Sequence, residues 1–128
     1  MVSYASGFSA HQNGYVRTVA SETGAWQNSH THSEFQELYL VERGWMAMAV
    51  QGQNDTIPII HLIHPGQTFI SPRGQTHNVY LPGNAVIHTI KFGIREPTAL
   101  FEPRPEFDRV TKILSEQDIR RLASPQLN

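Results

Sequence analysis

The residues with the most chemistry in this chain lie in "HTHSEFQE", residues 30 to 37. In a strand, positions i and i+2 point to the same face. His30 and His32 can therefore aim two imidazoles at one point, which is how a metal site can begin. Glu37 stands at an odd offset and would face away from them in an unbroken strand. Either "SEFQ" bends the chain so that Glu37 joins the histidines, or the whole stretch is a polar surface loop. A second segment bears on that choice. In "GQTFISPRGQTH", Gly66 to His77, Pro72 and Gly74 make a tight turn that leads into His77. His77 opens the apolar run "HNVYL", where a histidine costs desolvation unless it has a partner. It can supply a fourth ligand from another part of the fold.

Short apolar runs carry these residues, and turn signals separate the runs. "ELYLV" stops at "ERG", "WMAMAV" at "QGQND", "IPIIHLI" at "HPG", "TFI" at "SPRG", "HNVYL" at "PGN" and "AVIHTIKF" at "GIREP". Runs of about four to eight residues punctuated by Gly, Pro and Asn read as strands. Their spacing predicts an antiparallel all-β fold of sandwich or barrel type. One helix is expected in "LSEQDIRRLA". Ser115 stands at the N-cap, Asp118 completes a capping box, and Leu114 with Ile119 forms a hydrophobic staple. Ile119 and Leu122 give this helix a short apolar face for docking. The segment "REPTALFEPRPEFDR" alternates in charge and reads as solvated and Pro-stiffened.

Composition narrows the chemistry. The chain of 128 residues is expected to be one domain with a single core. It has no cysteine, which excludes disulfides, thiolate metal sites and a cysteine nucleophile. Any metal must be held by histidine nitrogen and carboxylate oxygen. Ten basic and eleven acidic residues give a formal charge of −1, so no nucleic-acid partner is expected. No apolar run approaches the roughly 18 residues of a membrane span. The start lacks a basic region followed by an apolar stretch, so the expected location is cytoplasmic.

The two histidine segments resemble the motifs of the cupin superfamily. Gly24, His30, His32, Glu37 and Gly44 match every fixed position of the first motif, G(X)5HXH(X)3,4E(X)6G. Gly66, Pro72, Gly74 and His77 match the second, G(X)5PXG(X)2H(X)3N, except that Leu81 stands where the motif has asparagine. The turn there is expected instead at Pro82, Gly83 and Asn84. The resemblance spans residues 24 to 92, leaving 93–128 as a Pro-rich segment and short helix. It implies a single-domain jelly-roll barrel, commonly a homodimer, with one divalent metal on His30, His32, Glu37 and His77. Such a donor set accepts Fe(II), Mn(II), Ni(II), Cu(II) or Zn(II). Its net charge near +1 favours an anionic or chelating small-molecule ligand.

Around that site, Tyr39 shares the Glu37 face of its strand and is a candidate acid or base. Alternation puts Val86, His88, Ile90 and Phe92 on one face, and His88 is a second proton-transfer candidate if that face is inward. Trp26 can wall a substrate pocket or fill core, as can Trp45. Arg73 can meet an anionic substrate at the barrel mouth or remain a solvated turn residue. Gln36 and Arg17 are weaker candidates, Met46 and Met48 read as core, and His61 and His64 as strand-end surface residues. His11 falls in the N-terminal segment.

Three functions fit these residues. The first is a metalloenzyme that uses Lewis-acid and proton-transfer chemistry on a small polar or anionic metabolite, as an isomerase, epimerase or lyase. The second is an Fe(II)-dependent dioxygenase. The third is a non-catalytic binding module for a metal or small ligand.

Overall fold

The computed structural model describes residues 2–6, 14–53, 56–94 and 101–123; His11 and residues 95–100 of the charged segment lie outside them. Strands Val2–Ser6 (β1), Gly14–Val19 (β2), Gln36–Arg43 (β5), Thr68–Ser71 (β8) and Val86–Phe92 (β10) form one antiparallel sheet, in the order β1-β2-β10-β5-β8. The second sheet holds Ala25–Trp26 (β3), His30–Thr31 (β4), Met46–Val50 (β6), Ile59–Ile63 (β7), His77–Leu81 (β9) and Glu102–Pro103 (β11). Its order is β11-β4-β9-β6-β7, with β3 also paired to β9. From β7 to β11 successive strands alternate between the two sheets, as in a jelly roll.

The alternation in β5 shows why the sheets pack. Glu37, Tyr39 and Val41 are buried, whereas Gln36, Leu38 and Leu40 between them are half-buried. Tyr39 and Val41 meet Ile87 from the same sheet and Met46, Met48, Val50, Val79 and Leu81 from the other, forming the core between the layers. Strands β6 and β9 are buried at every position, so both of their faces are covered. Their second face carries Ala47, Ala49 and Tyr80, and helices Pro105–Thr111 (α1) and Glu116–Leu122 (α2) dock there through Phe107 and Ile119. Small residues at 47 and 49 let the helices approach the sheet closely. Asn78 Nδ2 donates to Thr111 Oγ1 at 3.0 Å and the Tyr80 hydroxyl to Glu116 Oε2 at 2.8 Å, so polar groups under the helices are paired.

Helix α2 starts as expected: Ser115 caps it, and both hydrogen bonds of the capping box with Asp118 are present. Helix α1 was not anticipated, and it corrects the reading of its segment as solvated. Pro105 takes the first turn, where no amide partner is needed, and Glu106 and Asp108 favour the positive helix start. Those are start signals that the charge alternation obscured. The barrel also reaches beyond 24–92, because β1 and β2 complete the first sheet. Residues 82–84 make the β9–β10 turn, with Asn84 at φ 65° and its amide donating to Ser21 O at 2.8 Å. Among the described residues no helix is long and apolar enough to cross a membrane.

Phe107 is almost fully buried between α1 and the sheet. Phe107→Ala should cost about 3–5 kcal/mol, measured by urea unfolding. A loss below about 1 kcal/mol would mean that α1 is not docked.

Candidate metal centre

The bend expected at "SEFQ" is what carries the chain between sheets. His30 and Thr31 form β4 in the second sheet, residues 33 and 34 bend, and β5 begins at Gln36 in the first. Glu37 therefore faces His30 and His32 across the barrel interior instead of along one strand. His77 arrives from β9, in register opposite His30. The turn before it is tied to the same place, since the Gly74 amide donates to His32 O at 2.8 Å. Gly74 has φ 78°, which side-chain-bearing residues rarely adopt. Gly24 serves differently: a Cβ there would collide with the Tyr80 hydroxyl and lie 2.9 Å from Leu81 O.

One ligand atom from each of His30, His32, Glu37 and His77 lies within 4.8 Å of all the others. Glu37 Oε1 is 3.0 Å from His32 Nε2, 3.5 Å from His77 Nε2 and 3.8 Å from His30 Nε2. On the far side of each ring, Nδ1 faces a backbone carbonyl. The distances are 3.1 Å to Asn28 O for His30, 2.7 Å to Phe35 O for His32 and 2.9 Å to Gln75 O for His77. A carbonyl oxygen only accepts, so Nδ1 carries the hydrogen and a neutral ring turns its Nε2 lone pair inward. All three Nε2 atoms are buried and none has a hydrogen-bond partner. Unpaired buried acceptors cost roughly 1–3 kcal/mol each, and here three converge on a carboxylate. A cation among them removes the penalty. Imidazoles locked by carbonyls at Nδ1 are also the usual outer support of metal ligands. The 3.0–3.8 Å separations fit donors sharing an ion through bonds of about 2.0–2.2 Å. The group could hold a divalent metal.

The surroundings keep the donors in the right protonation state. Burial acts to raise the Glu37 carboxyl, and the hydrogen bond donated by the Tyr39 hydroxyl acts to lower it, keeping the group ionised. Burial also pushes His77 down, keeping the ring neutral. Tyr39 Oη donates to Glu37 Oε1 at 2.7 Å. Burial first, then the negative charge of Glu37, pushes the phenol well up, so Tyr39 stays protonated.

A cavity of about 550 Å³ opens on one side of the cluster, and His30, Glu37 and Tyr39 form part of its wall. Thr89 and Lys91 from β10, Val16 and Thr18 from β2, Phe101, and Ser29 with Asp108 line the rest. His88 is on the opposite face. Its Nδ1 is hydrogen-bonded to the Tyr15 hydroxyl, and its Nε2 lies 2.8 Å from Glu42 Oε1. The inward face of β10 is that of Ile87, Thr89 and Lys91, one residue out of step with the expected one; a one-residue shift turns every side chain over. Trp26 also lies outside the cavity. It packs edge-on against Tyr80 at 5.4 Å, and its Nε1 donates to Leu114 O at 3.0 Å. Trp45 stacks nearby, with Arg120 over its ring. Arg73 is engaged structurally, donating to Gln36 Oε1 at 3.1 Å and to Gly93 O. His61 is half-buried within β7 beside Phe69, whereas His64 is exposed as expected. Thr89, Lys91 and Phe101 escaped the sequence reading, although Lys91 in an apolar run was a signal for a polar interior.

No family model matches the chain, and no curated protein matches it. Solved structures do. A protein with a double-stranded β-helix domain from Klebsiella pneumoniae matches with a TM-score of 0.62 and 17% identity, over 80% of this chain and 82% of that one. An RmlC-like cupin from Shewanella frigidimarina gives 0.58 and 21%, over 73% and 77%. The chain has the cupin fold. An oxalate oxidase in complex with glycolate shares it, with a TM-score of 0.59 and 17% identity, over 94% of this chain and 70% of that one. In this cupin barrel the two motifs meet at one point, and a cavity lies beside them.

His32→Ala should abolish stoichiometric metal in purified protein by elemental analysis, and His88→Ala should retain it. Full occupancy in His32→Ala would show that the donor set is wrong. A metal present at about a hundred times its Kd contributes about 2.7 kcal/mol, so chelation should lower the melting temperature of the wild type and leave His32→Ala unmoved.

Proposed function

We propose that the protein is a metal-dependent enzyme acting on a small polar or anionic metabolite by Lewis-acid and proton-transfer chemistry, of the isomerase, epimerase or lyase type. The observation that carries this reading is the convergence of three unpartnered, buried imidazole nitrogens and a carboxylate at the wall of a cavity. His30, His32, Glu37 and His77 hold the ion, which when bound polarises a carbonyl or carboxylate and makes an adjacent C–H more acidic. Three neutral rings and one carboxylate leave a divalent site positively charged, which favours anionic ligands.

Of the four donors, His32 and His77 are fully buried, whereas His30 and Glu37 reach the cavity. Substrate therefore approaches from the His30–Glu37 side. Tyr39 lies on that side too. Its protonated phenol orients the Glu37 carboxylate and is placed to give a proton to substrate, in the role of acid more than of base. Val16 and Phe101 help to exclude water from the cavity, which strengthens each of these polar interactions.

The likeness to an oxalate oxidase holding glycolate favours a second reading, an oxygen-dependent reaction on the same class of acid. Metal-loaded protein incubated with 2-hydroxy and 2-oxo acids in heavy water separates the two. The first reading requires exchange of a substrate C–H for deuterium by NMR, without oxygen uptake at an electrode. Substrate-dependent oxygen consumption without exchange would transfer support to the second. In either reaction Tyr39→Phe should keep its metal and lose about a hundredfold or more in kcat. An unchanged rate would remove Tyr39 from proton transfer.

A further inference from the structure

Lys91 is the one lysine or arginine side chain among the described residues that lines the cavity. It sits on the inner face of β10, in register with Glu37 on β5 and Gly14 on β2. Its aliphatic stem passes over Gly14, where a Cβ would stand 3.6 Å from Lys91 Cδ. The ammonium ends over two aromatic faces, 4.5 Å from the Phe101 centroid and 5.1 Å from that of Phe35. Those same rings contact the donors: Phe101 lies 4.4 Å from the His30 ring, and Phe35 stacks on His32 at 4.3 Å. One ring's width thus separates a fixed positive charge from the metal-binding cluster.

Among the described residues no carboxylate forms an ion pair with Lys91. Both acids in the cavity wall are already engaged. Glu37 faces the three imidazoles and the Tyr39 hydroxyl. Asp108 accepts the Ser29 amide at 2.8 Å and lies 3.9 Å from Lys112 Nζ. Aromatic faces attract an ammonium but leave its charge and its three donors unspent. Ser29 adds an independent sign of an absent polar partner in the same wall, because its hydroxyl is buried and makes no hydrogen bond.

We propose that Lys91 anchors a carboxylate remote from the metal, so that the cavity selects small dianionic acids over monoanionic ones. One end of such an acid, a 2-hydroxy or 2-oxo carboxylate, lies at the His30–Glu37 side, and a second carboxylate meets the Lys91 ammonium. This assignment rests on the proposed metal-dependent function for the first end only. The second end requires only the cavity and the lysine.

Malate and lactate make the test, since both are 2-hydroxy acids and only malate has a second carboxylate. Calorimetric titration of metal-reconstituted wild type should give malate about tenfold or more higher affinity than lactate, the worth of one charge-assisted hydrogen bond. Lys91→Met should reduce malate to the level of lactate, leaving lactate binding and metal content unchanged. Lys91→Arg should restore most of the preference. A wild type that binds malate no better than lactate, or that binds neither, overturns the proposal, as does an undiminished preference in Lys91→Met. Metal analysis of each sample keeps the two readings apart. Full metal without a malate preference sinks the Lys91 assignment alone, whereas a Lys91-dependent preference in protein that takes up no metal sinks the metal reading alone.

Discussion

Three imidazoles and one carboxylate, pressed together in the barrel interior with their lone pairs converging, set the terms for the rest of this structure. Such a cluster is repulsive and poorly solvated, and it persists only if the scaffold leaves the side chains nowhere else to go. The scaffold does this through backbone carbonyls. Asn28, Phe35 and Gln75 each hold an Nδ1 and thereby dictate where Nε2 points. All three carbonyls belong to residues within three positions of their histidine, so each ring is locked by its own stretch of chain. Glu37 alone comes from the opposite sheet, and the Tyr39 hydroxyl supports it there.

The two faces of the second sheet divide the labour. Val79 and Leu81 on the inner face of β9 continue the core begun by His77, while Asn78 and Tyr80 on the outer face are covered by the helices. Covering both faces stiffens β9, the strand that delivers His77. The polar links from helix to sheet, Thr111 to Asn78 and Glu116 to Tyr80, lie on the same strand. Helix α1 thus has two roles: its Phe107 closes the outer core, and its Asp108 forms part of the cavity wall. Ligand space and stability therefore share one short element.

The cavity is asymmetric in charge. The donor cluster occupies one part of its wall, and the Lys91 ammonium stands beside it on β10. Between them are aromatic rings, which tolerate a cation and exclude water without neutralising anything. On the proposed function, a wall of this kind selects by the number and placement of negative charges more than by shape. The rest of the wall is mainly apolar, with the hydroxyls of Thr18, Ser29 and Thr89, the amides of Gln27 and Asn28, and the Asp108 carboxylate.

The strands and the candidate donors were legible in the sequence because their patterns are local, whereas grouping the four donors into one set came from the resemblance to the cupin motifs. The i, i+2 spacing of His30 and His32, the turn residues before His77 and the Ser115 capping box each act within a few residues. Nothing long-range was needed to read them. The bend at "SEFQ" was legible for the same reason, since Glu37 has the wrong parity for an unbroken strand. Which face of β10 points inward was not legible. Val86, His88, Ile90 and Phe92 alternate as plausibly as Ile87, Thr89 and Lys91, and only pairing with β2 and β5 decides between them. The same holds for Trp26 and Arg73, whose partners Leu114 and Gly93 lie far along the chain. Period and spacing fix what a segment can present, whereas the register between distant strands determines what it presents to the site.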